Sequence, residues 1–240
     1  MTLRATTEEP LVSIITVVFN AREELKALIL SVLPLKTEEV ELIVIDGGSQ
    51  DGTVEYLNSV HEIDYWHSEP DRGIYDAMNK AIAHAQGTYL LHLNAGDRLL
   101  ELPLNILRQA RTNQLDILAF RVALDNGRNF QPTYGYGLTF SNTLHHQGTF
   151  FRRSVFPGYD DQYRIFADFD ANQRMAIRGD KARIYNNVVA YHATDGVSNQ
   201  NTVKAKEEFL KVIERNHGRK ARLIAKCFGK WRGLRARLGI

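Results

Sequence analysis

From Leu11 to Phe19 the chain reads LVSIITVVF, nearly continuous in apolar and β-branched residues. Such a run predicts a strand buried on both faces, as in a parallel sheet. Ala21 to Val32 then follows helical spacing and stops near Pro34. Val40 to Ile45 is a second buried strand. The polar stretch Asp46-Gly47-Gly48-Ser49-Gln50-Asp51-Gly52-Thr53 predicts a turn into a short helix ending near Leu57. Ile63 to His67 is a third strand. Ile74, Met78, Ala81, Ile82 and Ala85 keep helical spacing up to Gly87, and Thr88 to Leu93 is a fourth strand. This alternation predicts an α/β fold built on a doubly wound, mostly parallel sheet with right-handed crossovers.

Beyond Asp97 the pattern is mixed. Pro103 to Arg111 reads as a helix. Leu115 to Leu124 and Asn129 to Thr133 suit a hairpin around Asp125-Asn126-Gly127. Gln147 to Arg152 and Arg183 to Tyr191 read as strands, and Asp168 to Arg178 and Thr202 to Arg215 as helices. No repeat or low-complexity linker interrupts the 240 residues.

Composition adds little to this picture: 44% hydrophobic and 24% charged residues are ordinary for a soluble globular protein. The single cysteine, Cys227, excludes an internal disulfide and a cysteine-based zinc site, and it fits a reducing compartment. Met1 to Pro10 is polar and unlike a secretory signal, and no apolar run is long enough to span a membrane. These features predict a cytoplasmic protein.

Charge does change the picture. The net charge of +2 hides a basic end: nine Lys or Arg and no acid from Arg215 onward. The remainder carries 21 basic and 28 acidic residues, a net of −7. The confinement of basic charge to one end argues against nucleic-acid binding. Within that end Leu223, Ile224, Cys227, Phe228, Trp231, Leu234 and Leu238 recur at helical spacing among Arg219, Lys220, Arg222, Lys226, Lys230, Arg232, Arg235 and Arg237. This is the pattern of a basic amphipathic helix suited to an anionic membrane surface, although Gly229 and Gly233 weaken it. A helix packed on its own domain, or on a partner, has the same pattern.

Polar residues gather where strands stop and helices start, the edge at which open α/β sheets bind ligands. Asp46 ends a buried strand and is followed by two glycines that let a ligand approach the backbone. It also reads as a turn residue beside the good caps Ser49 and Asp51. Asp97 ends the fourth strand in Asn94-Ala95-Gly96-Asp97. One acid there could hold a hard divalent cation if a diphosphate supplied further oxygens, or it could cap the next helix. Asp168 and Asp170 flank Phe169 at a helix start, where either could be a general base or a helix cap. His145 and His146 are adjacent and so point apart, which disfavours a two-histidine metal site. His192 and Asp195 are candidates for phosphate or metal contact in what otherwise reads as a plain loop. The glycine fingerprints of dinucleotide sites and P-loops are absent, as is a nucleophile elbow.

In this order and spacing, several segments resemble family-2 inverting glycosyltransferases of the GT-A fold, over about residues 11–198. They are Ser13 to Asn20, Val44 to Thr53, Glu69 to Asn79, the motif ending in Asp97, His146-Gln147, and Ala167-Asp168-Phe169-Asp170. The likeness is to bacterial enzymes of surface polysaccharides. It implies a catalytic unit over 1–214, with a nucleotide-sugar half at about 10–100, an acceptor half at about 101–200, and a tail over 215–240.

The resemblance also implies roles. Thr16, Phe19 and Asn20 would line the nucleotide pocket, and Asp46, Gly47 and Ser49 would hold the base or ribose. Asp71 and Asn79 would help bind the nucleotide, with Arg72 near the phosphates. Asn94, Ala95 and Gly96 would border the diphosphate. Asp97 would bind Mg²⁺ or Mn²⁺, with His192 as a second candidate ligand. Asp168 matches the catalytic base of the family's Glu-Asp motif, and His146, Gln147 and Asp170 would face the acceptor. The implied substrates are a nucleotide-diphosphate sugar and a hydroxyl acceptor, which a membrane-bound tail would suit if lipid-linked. In two places the sequence departs from the family pattern: Asn94 stands where the metal motif begins with Asp, and Ala167 where Glu precedes the base. A nucleotidyltransferase on a similar sheet is a rival reading, but Phe19-Asn20-Ala21-Arg22 is not the Gly-rich basic loop a triphosphate needs. A non-catalytic nucleotide-binding module recruited to membranes is another, disfavoured by intact Asp97 and Asp168.

Overall fold

The computed structural model describes residues 9–193 and 203–238, with the side chains of the last helix described as far as 227. Strands β1 (Val12–Val18) and β2 (Val40–Asp46) are buried at every position, as their continuous apolar runs require. They pair in parallel from Val12 with Val40 to Val18 with Asp46. Strand β3 (Tyr65–Ser68) lies parallel outside β2. Strand β4 (Tyr89–His92) lies parallel on the other side of β1.

Alternation along β1 feeds two layers. Val12, Ile14 and Val18 pack in one core cluster with Leu25, Leu28, Ile29 and Val32 of helix α1 (Arg22–Val32) and Leu57 of α2 (Thr53–Ser59). Ile15 and Val17 pack on the opposite face with Ala77, Met78 and Ala81 of α3 (Ile74–His84). Helices on both faces make the sheet doubly wound. Each fully buried Leu or Ile side chain contributes about 2 kcal/mol. Pro34 sits in a single 3₁₀ turn, Leu33–Leu35, that ends α1.

The second half is mixed. After the two-residue strand β5 (Arg98–Leu99) and helix α4 (Leu104–Thr112), strand β6 (Ile117–Leu124) forms the expected hairpin with β7 (Asn129–Phe130). Strand β8 (Thr149–Arg152) is antiparallel to both β4 and β6, and so joins the halves. Helix α5 (Ala167–Arg178) leads to β9 (Ala182–His192), which runs parallel to β6. The spatial order is β3-β2-β1-β4-β8-β6-β9-β5. Parallel pairing is thus confined to β3-β2-β1-β4 and to β6 with β9.

Helix α6 (Val203–Leu238) is broken at Gly218, whose φ of 83° lies in the left-handed region. Arg222 bridges back to Glu214 and to Glu207. Fifteen residues of straight helix would span about 22 Å, so the part after Gly218 folds back on the first. Val212 and Ile213 are core residues, and Ala221 and Ala225 pack against the same cluster. Residues 215–225 therefore rest on the domain, whereas Leu223, Ile224 and Cys227 face outward. Asp195 and Ser198, and the side chains of Phe228, Trp231, Leu234 and Leu238, lie outside what the structure describes. Among the described residues no helix is long and apolar enough to cross a membrane.

Candidate active site

Strands β1, β2 and β4 end at one edge, and their loops meet there. Gly47 has no side chain where Asp71 closes in; a Cβ would stand 2.5 Å from Asp71 Oδ2 and 3.3 Å from the Phe19 ring. Phe19, Gly47 and Asp71 thus form one rim, with the Phe19 ring 62% exposed. Asn20 takes a left-handed φ of 47° and accepts the Gln50 N–H at 2.9 Å, while its own N–H donates to Ser49 Oγ at 2.7 Å. The β1 and β2 loops are held together by these bonds.

Next to that rim is a cavity of about 840 Å³ whose wall includes Arg72, Asn94, Ala95, Gly96, Asp97, His146, Gln147, Asp168 and His192. Gly96 at φ 101° turns the chain so that Asp97 Oδ2 accepts the Asn94 N–H at 2.8 Å. The pairing of Arg98 with Tyr191 across β5 and β9 brings the preceding Asp97 beside His192. His192 Nδ1 lies 2.7 Å from Asp97 Oδ1. Gln147 Nε2 lies 3.1 Å from both Asp97 Oδ2 and His192 Nδ1, and its Oε1 meets His145 Nδ1 at 2.5 Å. Burial, with His146 and His192 close by, pushes His145 down to about 4, so its ring is neutral at pH 7.

Asp168 sits in the first turn of α5. Its Oδ1 accepts the Phe169 N–H at 2.7 Å and lies 3.3 Å from the Tyr75 hydroxyl. Its Oδ2 accepts from Asn142 Nδ2 at 2.8 Å and lies 3.4 Å from His146 Nδ1. Burial pushes the Asp168 carboxyl up, but His146, the Phe169 N–H and Asn142 outweigh it, so the carboxyl titrates below its ordinary value. His146 Nε2 lies 3.4 Å from Asn94 Nδ2. Asp97 and Asp168, two of the cavity's acids, are therefore linked through His146 and Asn94.

Arg72 is held at the cavity wall by Asp76 at 2.8 Å and Asp161 at 2.7 Å. The Arg72 guanidinium, with burial opposing, keeps Asp76 down at about 2.

Three expected site residues have partners within the fold, and a fourth is buried in its strand. Asp46 is fully buried, and its oxygens accept from Gly48 N, Ser49 N, Ser49 Oγ and Ser68 Oγ at 2.5–3.1 Å. It organises the β2 loop, with Oδ2 accepting three of these bonds and Oδ1 one. Thr16 is fully buried in β1 and is not part of the cavity wall, and its hydroxyl has no hydrogen-bond partner among the described residues. Asn79 clamps the backbone of Tyr159 through both its amide atoms. Asp170 is buried on the far side of α5, paired with Arg174 at 2.8 Å and bonded by Asn216 at 3.0 Å, so it is not a rival base facing the cavity.

The family model for glycosyl transferase family 2 matches residues 13–171, which include the β1, β2 and β4 loops and Asp168. The chain belongs to that family. This glycosyltransferase is also 31% identical over 237 residues to a Mycobacterium tuberculosis protein named PGL/p-HBAD biosynthesis glycosyltransferase, covering 92% of this chain and 91% of the relative. Among solved structures it resembles S. aureus TarS 1-349 in complex with UDP-GlcNAc, with TM-score 0.69, 16% identity and 84% of this chain covered. It also resembles the mannosyltransferase PcManGT of Pyrobaculum calidifontis in complex with GDP-Man and Mn²⁺, with TM-score 0.61, 16% identity and 88% covered. The transferase spans 64% of the length of each of those two chains. At such identities the likeness shows the fold, which is GT-A. Family membership sets aside the nucleotidyltransferase and non-catalytic readings.

Three of the cavity residues that touch Asp168 or Gln147 escaped the sequence. Asn142 lies in an irregular segment with no period to mark it, and His145 was read only as a neighbour of His146. Tyr75 had a usable signal, since it follows Gly73 at the start of α3, directly after the polar turn.

Proposed function

We propose that this glycosyltransferase moves a sugar from a nucleotide-diphosphate donor lying along residues 94–97 to an acceptor hydroxyl at Asp168, with inversion. The observation that carries the reading is that Asp97 and Asp168 line one cavity and are joined through Asn94 and His146. Asp168, held below its ordinary carboxylate range, is ionised at pH 7 and positioned to take the acceptor proton. Attack from the side opposite the leaving diphosphate is a single displacement, and no covalent sugar intermediate is needed. Tyr75 keeps its proton, because burial and the Asp168 charge push its hydroxyl well above the ordinary value, and it helps fix the base. Arg72 places a cation where the diphosphate charge grows.

Among the described residues no group of three or more His, Cys, Asp or Glu could hold a metal ion by itself. Asp97 and His192 nevertheless suit Mg²⁺ or Mn²⁺: one carboxylate and one imidazole at the cavity wall would leave positions for phosphate oxygens and water. Such an ion would neutralise charge on the departing diphosphate. The Mn²⁺ and GDP-Man named for the mannosyltransferase, and the UDP-GlcNAc named for TarS, support a sugar-nucleotide donor with a divalent ion. Phe19, Gly47 and Asp71 would receive the base.

The acceptor half, residues 101–200, would hold the hydroxyl partner beside His146 and Gln147. The relative named for PGL/p-HBAD biosynthesis supports a role in polysaccharide or glycolipid assembly. A lipid-linked acceptor would suit the basic end of the chain. Each basic residue near an anionic surface adds about 1 kcal/mol of attraction. Because Ala221 and Ala225 pack on the domain, the membrane-facing part would include the exposed Leu223, Ile224 and Cys227. Removing residues 226–240 is expected to release the enzyme from anionic vesicles, and unchanged sedimentation would refute that part.

NMR of the transfer product tests the mechanism. An anomeric configuration opposite to that of the donor sugar is expected, and retention would overturn the single displacement.

A further inference from the structure

Helix α5 opens without a capping side chain of its own. Its N-cap position is Phe166, preceded by Ile165, and neither can accept a hydrogen bond through its side chain. Glu208, in α6, instead ties down the backbone that leads into the helix. Its Oε1 accepts from Ile165 N at 2.7 Å and Phe166 N at 2.8 Å, and its Oε2 accepts from Arg164 N at 3.1 Å. One carboxylate thus gathers three consecutive backbone N–H groups.

That segment is part of the cavity wall: Arg164, Ile165 and Phe166 line it, while Glu208 does not. The Ile165 carbonyl accepts the Tyr75 hydroxyl at 2.7 Å, and the same hydroxyl lies 3.3 Å from Asp168 Oδ1. Asp168 follows Phe166 by two residues, so the place of its carboxyl depends on where this backbone is pinned. The grip continues behind the helix. Phe209 stacks on Phe169 with centroids 4.8 Å apart, and Asn216 donates to Asp170. Glu208 lies beyond residue 171, where the family match ends.

We propose that Glu208 is a positioning residue for Asp168: the C-terminal helix pins the 164–166 backbone and so sets the reach of the base into the cavity. This rests on the reading of Asp168 as base. A misplacement of about 1 Å at a reacting group can cost about 100-fold in rate.

The test is steady-state transfer, with pH profiles, by Glu208→Ala, Glu208→Gln and Asp168→Asn. Glu208→Ala is expected to lower kcat by about 100-fold with donor KM within about twofold, because the donor residues are not displaced. Glu208→Gln keeps one acceptor oxygen and is expected to lose about tenfold. In both, the acid limb of kcat is expected to move up in pH, because a displaced Asp168 lies farther from His146 and Asn142, the side chains that hold it down. Unchanged kcat in Glu208→Ala would overturn the proposal. So would equal losses of kcat and donor affinity with an unmoved acid limb, which would mark general destabilisation. If the alanine variant does not fold, the glutamine variant decides by the same criteria. Turnover retained by Asp168→Asn would instead remove the base reading itself, whereas an inactive Asp168→Asn beside a fully active Glu208→Ala would remove only the role of Glu208.

Discussion

In the parallel half, β1, β2 and β4 run in one direction and stop at one edge, so Phe19, Gly47 and Asn94 arrive together because their strands end together. In the mixed half nothing comparable aligns the chemistry. Asn142 comes from an irregular segment, His146 from a 3₁₀ turn, Asp168 from a helix start and His192 from the end of β9. Two aspartates show the consequence. Asp46, at a strand end, is closed off by two seryl hydroxyls and two backbone N–H groups. Asp168 reaches the cavity wall with three side-chain neighbours and its own helix to orient it. A strand-end acid can thus hold a loop together, while the acid proposed as base stands at a helix start.

The largest expected effect tests that contrast from the second half. Asp168→Asn is expected to lower kcat by about a thousandfold, the loss of a positioned general base, while donor binding survives. The matching change in the first half, Asp46→Ala, strands four donors in a buried loop. It is expected to cost about 3 kcal/mol in urea unfolding. A large rate loss in Asp46→Ala at unchanged stability would break the comparison.

A smaller effect probes the seam between the halves. His92 ends β4 and is fully buried, and among the described residues neither ring nitrogen has a hydrogen-bond partner. Burial, with His146 adding to it, pushes its value from 6.5 down to about 3. As pH falls below 6.5 the unfolded chain takes up this proton first. The stability tied to the neutral ring is therefore complete above that pH and lost progressively towards pH 3. His92→Phe is expected to remove about 2 kcal/mol of the destabilisation seen on going from pH 7 to pH 5. His145 remains and acts in the same direction, so denaturant curves at the two pH values should converge only in part. The least effect on stability is expected from Arg72→Ala. Its side chain is 76% exposed and its ion pairs are worth about 1 kcal/mol or less, so a raised donor KM is the readout.

The first half was legible because continuous apolar runs and the stops at Pro34 and Gly87 mark its elements directly. Strand β5 was not, because two residues, Arg98 and Leu99, carry no period and are strand only by pairing with β9. That pairing is what brings Asp97 to His192, a contact the sequence offered only as a weak candidate. The inward turn of Asp46 was equally hidden. It depends on the register that sets Ser68 of β3 beside it, and residue type alone does not separate Asp46 from Asp97. Residues 202–215 were legible as a helix but not in what they touch: they pack through Val212 and Ile213 and reach the 164–166 backbone through Glu208.

Calorimetric titration of a nucleotide sugar, with and without Mn²⁺, into the unaltered enzyme, Asp97→Asn and Asp168→Asn tests the shared cavity most directly. Asp97→Asn is expected to lose the Mn²⁺-dependent part of the affinity, while Asp168→Asn keeps it and no longer turns over. Mn²⁺-dependent binding left intact in Asp97→Asn, or turnover left intact in Asp168→Asn, would contradict the division of labour between the two acids.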